Sequence, residues 1–398
     1  MKRRDFIVKG SLASSAVMYA PTVLGAVNPS ANETINVGVI GTGDRGGGLI
    51  PFINQIPNMR VAACSDIMPF RLSSGLSKVE GKAKGYEDYR KLLDDKNVDA
   101  VLVATPFSTH SQIVTDALKA GKHVYGEKTM AKGYDGIRSL VNAAENSSAI
   151  FQAGHQYHSS RLYTHIVDEI KKGKIGKITA FECQWNRNNN WRRPVPDPKW
   201  ERMINWRMYR EFSGGLLAEL CSHQLDFANW VLGSMPEKVM GVGGIDYWKD
   251  GRETYDNIHL IYSYPDGVRA SFTCLTSNAM GDYKVKVMGD KGAYILDYVK
   301  AWYYPEGGYQ KEMGQVDGVS GATLNWDQDR GIPVNFDHDD PSKQALIDFR
   351  DNIVNNTRPI SNAKTGAMAA MCVQMGLDAM YGNTIVQTDT KMVNDILG

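Results

Sequence analysis

Ile35-Asn36-Val37-Gly38-Val39-Ile40-Gly41-Thr42-Gly43-Asp44-Arg45-Gly46 decides the fold, together with Asp66. An apolar, β-branched run ends in G-x-G-x-x-G. A second apolar run, Val61-Ala62-Ala63-Cys64, follows, and the acid Asp66 lies twenty residues past the third glycine. Each part has a physical job. Gly41 makes the tight strand-to-helix turn. Gly43 lets a pyrophosphate approach the free N–H groups of the helix N-terminus, beside Asp44 and Arg45. Gly46 lets the helix pack close to the strand. Asp66 is placed to accept hydrogen bonds from an adenosine ribose, and its charge repels a 2′-phosphate. Together the spacing predicts a dinucleotide site, with NAD favoured over NADP.

The chain has 398 residues, 42% of them apolar. That length allows two domains and a large core. Lys plus Arg is 45 against 44 Asp plus Glu. The balance gives no electrostatic footprint for nucleic acid or an anionic membrane. No internal stretch reaches the roughly 18 apolar residues of a membrane span. The five cysteines, Cys64, Cys183, Cys221, Cys274 and Cys372, are scattered through apolar segments without a C-x-x-C. They read as small core residues, and no metal site is expected.

Residues 1–33 read as an address and a linker. Lys2-Arg3-Arg4-Asp5-Phe6-Ile7-Val8-Lys9 is a charged start with a twin arginine, and a mild small/apolar stretch runs from Gly10 to Ala26. This resembles a Tat-type signal, which implies a periplasmic or otherwise exported protein. No NAD pool exists outside the cytoplasm. An exported NAD enzyme is therefore expected to hold its cofactor tightly and to regenerate it within the catalytic cycle.

Residues 34–155 alternate short apolar runs with helical patterns, as in Val98–Ala104, His110–Ala120, Gly121–Lys128 and Tyr134–Glu145. Such alternation predicts a doubly wound parallel sheet. The pattern changes over residues 156–398. A helix over 161–172 is followed by runs with period-two alternation at 178–185, 239–247, 254–264, 268–277, 283–288 and 292–296. Pro265-Asp266-Gly267 marks a hairpin. An open, mostly antiparallel sheet is expected here, in an α+β domain with one face free for a ligand or partner. Helices are expected over 345–356 and 364–381, and a long surface loop over 307–335.

Ligands in open α/β sheets sit beyond the carboxyl ends of the strands. Thr105-Pro106, Glu127-Lys128 and His155-Gln156-Tyr157-His158 end strands there. A lysine at the end of a buried strand has its pKa lowered by desolvation and can exchange a proton with a substrate oxygen. The alternative is a surface lysine paired to Glu127. Helical spacing puts Glu219 and His223 on one face, at i and i+4, where the histidine suits proton transfer from an alcohol. The alternative is a solvated pair. H-E-x-x-H spacing is absent, which excludes that zinc motif. Trp185, Trp191, Trp200 and Trp206 are four of the eight tryptophans, set among Asn186, Asn188, Asn189, Asn190, Arg187, Arg192 and Arg193. Aromatic faces with amides and guanidiniums suit a sugar, and Trp191 and Arg192 are the candidates for it. A loop packed on its own tryptophans is the competing reading.

On these residues the chain resembles the glucose–fructose oxidoreductase / inositol dehydrogenase / rhizopine-catabolism (Gfo/Idh/MocA) family. The resemblance covers about residues 34–390. It rests on Gly41–Gly46, Asp66, Thr105-Pro106 with His110, Gly121–Val124 running into Glu127-Lys128, Gly173–Gly176, and Gly214-Gly215 before Glu219 and His223. It implies an N-terminal Rossmann domain, a C-terminal sheet that often mediates oligomers, and hydride exchange between NAD(P) and a sugar, cyclitol or similar carbinol. Lys128 matches the lysine of the family's E-K-P motif. His223 matches the usual proton-transfer histidine, and Gln156, Tyr157 and His158 fall where cofactor and substrate are contacted. Two departures stand out, Thr129 for the motif proline and Glu219 for an aspartate. The resulting reading is an exported NAD(P)-dependent oxidoreductase acting on a sugar or glycoside hydroxyl, with C3 a candidate carbon. His223 takes the proton, Lys128 polarises the oxygen, Glu219 holds an adjacent hydroxyl, and the protein is a homo-oligomer. An NAD-dependent glycosidase and a catalytically idle binding protein are the alternatives.

Overall fold

The computed structural model describes residues 34–306, 331–336 and 340–398. The signal-like segment 1–33 and nearly all of the expected surface loop lie outside the described residues. Six parallel strands form the first sheet: β1 (Ile35–Ile40), β2 (Met59–Ser65), β3 (Lys84–Tyr86), β4 (Ala100–Val103), β5 (His123–Gly126) and β6 (Phe151–Ala153). Their order is β3-β2-β1-β4-β5-β6. β4 and β5 are buried along their whole length. Both faces are covered by helices, which is why these strands read as continuous apolar runs. The strand order reverses between β1 and β4, and the crevice over that point is where such sheets hold nucleotides.

Helix α1 (Asp44–Gln55) starts directly at the glycine loop. Gly41 has φ +87°, and a Cβ there would lie 2.6 Å from the Ala104 carbonyl oxygen. A Cβ at Gly46 would sit 1.9 Å from the Gly41 carbonyl oxygen. Only glycine lets α1 approach β1 this closely.

Helices α2 (Pro69–Leu76), α3 (Tyr89–Leu93), α4 (His110–Lys119) and α5 (Tyr134–Glu145) complete the nucleotide half, and α6 (Arg161–Lys171) leads into the second. There a nine-stranded sheet is built on β7 (Ile178–Trp185), β8 (Lys238–Gly244), β9 (Asn257–Ser263), β10 (Arg269–Leu275), β11 (Tyr283–Gly289), β12 (Gly292–Leu296) and β13 (Ala301–Pro305), with two-residue strands at its edges. β10 runs parallel to β7, and the other pairs are antiparallel. The expected hairpin at Pro265–Gly267 joins β9 to β10. β8 and β9 are shorter than the alternation suggests. The Asp256 carboxylate accepts the backbone N–H groups of Asp246, Tyr247 and Trp248 and turns the chain out of the ladder. One face of this sheet packs on α6 and α8 (Ser222–Leu232). The other carries exposed Met240, Val242 and Ile261.

The C-terminal helices pack on both halves of the molecule. α9 (Pro341–Asn355) places Leu346, Phe349 and Ile353 in the core under β1 and α1. α10 (Ala363–Gly382) gives Ala367 and Met371 to the first sheet's other core and Val373 and Met375 to the second domain's core. α11 (Thr390–Leu397), unanticipated from the sequence, packs on α5 through Ile396. An apolar helical period shows that a face is buried but not against which sheet.

Gly46→Ala is expected to push α1 off β1, costing about 1–3 kcal/mol as overpacking. A lowered thermal midpoint together with weakened NAD binding, both followed by scanning fluorimetry, would bear this out; an unchanged midpoint would refute it.

Candidate active site

A cavity of about 680 Å³ runs from the glycine loop to the end of the second sheet. Gly41, Gly43, Asp44, Arg45, Asp66, Thr105, Pro106, His110, Glu127, Lys128, Gln156, Trp191, Glu219 and His223 all line it. Gly46 lies beneath the loop rather than in the wall.

At one end the residues fit a dinucleotide. The glycine backbone is bare where a pyrophosphate would lie, and a Cβ at Gly43 would meet Arg71 Nη1 at 2.8 Å. The two oxygens of Asp66 each accept one backbone N–H, from Thr42 and Met68, both at 2.9 Å. A carboxylate oxygen has two lone pairs, so acceptor capacity remains for ribose hydroxyls. Arg45 is held by Glu127 at 2.6 Å and by Ser342 at the start of α9 at 3.1 Å. His110 lies 2.8 Å from both the Thr105 and Thr129 carbonyl oxygens and ties the ends of β4 and β5 together.

The other end is made where the two domains meet. The expected helix carrying Glu219 and His223 is not uniform. Residues Leu217–Cys221 form a π-turn, and α8 follows from Ser222. Such a widened turn frees carbonyl groups from the ladder. The Ala218 carbonyl accepts from Thr129 Oγ1 at 2.8 Å, and the Glu219 carbonyl accepts from Lys128 Nζ at 2.8 Å. Lys128 thus stays in the cavity with threonine in place of the motif proline.

Burial pushes the Lys128 ammonium below its ordinary pKa, against the pull of Glu219 and Glu127. Burial pushes Glu219 up, but Lys128 and Arg207 outweigh it and keep the carboxylate ionised. Arg207 Nε donates to Glu219 Oε2 at 2.8 Å. His223 is held well below its ordinary pKa by burial first, then by Lys128, His155, Arg45 and Arg187. It is therefore a neutral imidazole. Its Nδ1 is buried without a partner, which leaves Nε2 to meet a ligand.

Three expected substrate contacts are corrected. Tyr157 lies behind His223, stacked on Tyr163 at 4.4 Å between ring centroids. His158 stacks on Trp230, with its Nε2 2.8 Å from Asp226 Oδ2. Both are buried because the turn after β6 faces α6 and α8 rather than the crevice. Arg192 is engaged by Glu201 and Asp250 at 2.6 and 3.0 Å and braces its own loop. The neighbouring Arg193 takes the cavity position and bonds Asp44 at 2.9 Å across the domain gap. Of the four tryptophans, Trp185, Trp191 and Trp206 line the cavity, whereas Trp200 packs against Phe70. Arg187 and Arg207 were not singled out from the sequence. Arg187 is two residues past Trp185, where strand alternation returns a side chain to the same face, and that signal could have found it. Arg207 sits in a short 3-10 turn with no periodicity to read.

The chain matches two family models, "Oxidoreductase family, NAD-binding Rossmann fold" over residues 35–155 and "Oxidoreductase family, C-terminal alpha/beta domain" over residues 167–388. It belongs to the Gfo/Idh/MocA oxidoreductases and binds NAD(H) as their Rossmann domains do. It is 26% identical over 271 residues to the myo-inositol 2-dehydrogenase of Thermotoga maritima, covering 67% of this chain and 76% of that one. It is 29% identical over 265 residues to the 2,7-anhydro-N-acetylneuraminate hydratase of Escherichia coli, covering 66% and 68%. The structure of a levoglucosan dehydrogenase in complex with NADH and levoglucosan superposes with a TM-score of 0.72 at 17% identity, over 90% of this chain and all of that one.

Lys128→Met is expected to lower kcat/KM by about 10²–10⁴-fold. In a pH series, the depressed His223 pKa keeps the base neutral as pH falls, so the acid limb lies below the ordinary histidine value of about 6.5. The depressed Lys128 pKa places the alkaline limb below the ordinary lysine value of about 10.4. Limbs at those ordinary values would show that neither group governs turnover.

Proposed function

We propose that this protein is an exported, NAD-dependent oxidoreductase that exchanges hydride with a carbinol carbon of a sugar or glycoside. The observation that carries this is the convergence of neutral His223, Lys128 and Glu219 on one cavity with the glycine loop and Asp66. His223 Nε2 takes the hydroxyl proton. Lys128 Nζ donates to the same oxygen and stabilises the alkoxide as the proton leaves. Glu219, fixed by Arg207, accepts from a neighbouring hydroxyl. Trp185, Trp191 and Trp206 offer flat faces to the ring and keep water out. When bound, the nicotinamide accepts or returns the hydride. Asp66 favours NAD over NADP through its charge.

The Arg193–Asp44 bond closes the second domain over the glycine loop and supports tight retention of the cofactor, as the twin-arginine start requires of an exported enzyme. The apolar side chains on the open sheet face support a homo-oligomer. A second reading, hydrolysis or hydration of a glycoside with the redox step hidden inside the cycle, is favoured by the likeness to a hydratase, whose named reaction has no net redox change.

Denaturing the purified protein is expected to release about one NAD(H) per chain, identified by mass and absorbance. Reduction of that nucleotide by sugars or cyclitols then follows at 340 nm. Product release with solvent deuterium entering the sugar and no net NADH would favour the second reading. A protein that takes up no nucleotide would refute both.

A further inference from the structure

The substrate end of the cavity is not electrically balanced. Lys128, Arg207, Arg187 and Arg45 line it against two carboxylates, Glu219 and Glu127. Arg45 is neutralised by Glu127 and Arg207 by Glu219. Lys128 reaches the same Glu219 only at 4.0 Å. Arg187 has no carboxylate within 4.0 Å among the described residues. Its guanidinium lies over the Trp185 ring at 5.2 Å, near the Tyr298 phenol. That phenol lies 3.4 Å from Asp282 Oδ1. Asp226 is buried behind His155 and is taken up by His155 and His158.

Arg187 Nε is buried with no acceptor. Arg187 lines the cavity, and its terminal nitrogens, which no carboxylate meets among the described residues, are the ones that can reach a ligand. A half-buried guanidinium with no counter-charge is costly unless an anion completes it. The cofactor's pyrophosphate does not fill this role. It belongs at the glycine loop, where Arg193 faces Asp44, whereas Arg187 sits beside Trp185 and Tyr298 of the second sheet.

Resting on the oxidoreductase reading above and narrowing its substrate, we propose that the sugar carries a carboxylate, and that Arg187 binds it. The planar guanidinium suits two-point recognition of a carboxylate. The reacting hydroxyl then lies between His223 and Lys128, with Glu219 on a neighbouring hydroxyl. The bound anion has a second effect. Arg187 is one of the cations that hold the His223 pKa down, so neutralising it makes His223 a stronger base at the moment substrate is present. A neutral sugar would leave that repulsion in place.

The test uses the full NAD-loaded protein and sugar pairs with one skeleton: D-glucose and D-glucuronate, D-galactose and D-galacturonate, D-mannose and D-mannuronate. Binding is read by calorimetry and turnover by NADH absorbance. At least one uronate is expected to bind ten times more tightly than its neutral partner. In Arg187→Met that preference falls below threefold, while Arg187→Lys retains an intermediate preference. NAD binding by each variant shows that it is folded. Equal binding within every pair, failure of all three uronates to bind, or a preference that survives in Arg187→Met overturns the proposal. A uronate bound through Arg187 without NADH formation leaves the carboxylate site standing and counts against dehydrogenation. NADH formed from neutral sugars alone does the reverse.

Discussion

The docking of the β5 end onto the π-turn is the constraint on which the site depends. Lys128 and Thr129 leave the nucleotide sheet and donate to the carbonyls of Glu219 and Ala218 in the other domain. A regular α-helix would have used those carbonyls internally. The widened turn makes them available. The same contact that joins the domains sets the distance between ammonium, carboxylate and imidazole. Their relative placement is thus fixed by backbone acceptors rather than by long side chains alone, which is the kind of support that holds a reacting group to sub-ångström tolerance.

Around this contact the charges are sorted by burial. His223 stays neutral because desolvation and nearby cations act in the same direction. Glu219 stays ionised because Lys128 and Arg207 outweigh desolvation. A single cationic environment therefore gives a neutral acceptor and an anionic one side by side. Behind them, Asp226 remains ionised between His155 and His158, as burial is outweighed by the two rings. That buried set shapes the wall without entering the cavity.

Much of the molecule was legible in the sequence. The apolar runs of β1 and β4, the three glycines and Asp66 obey local rules, so the nucleotide half followed from spacing. Lys128, Glu219 and His223 came together as the family resemblance implies. What was not legible depended on long-range packing. Nothing local says that Tyr157 and His158 turn toward α6 and α8, or that Arg192 braces its loop while Arg193 reaches Asp44. The π-turn was read as an α-helix because one inserted residue leaves little trace in an apolar period. The three C-terminal helices were read as helices, or missed in the case of α11, and their partner sheet was invisible.

Those helices govern when the nucleotide half can be finished. β1 and the glycine loop precede Phe349, Ile353 and Met371, which seal the sheet's two faces, by some three hundred residues. Domains usually fold in order of synthesis. Here the nucleotide half takes part of its core from far along the sequence, and Ser342 at the start of α9 accepts a hydrogen bond from Arg45 of the glycine loop itself. A nucleotide half fully backed by its core therefore exists only once α9 and α10 have docked on it.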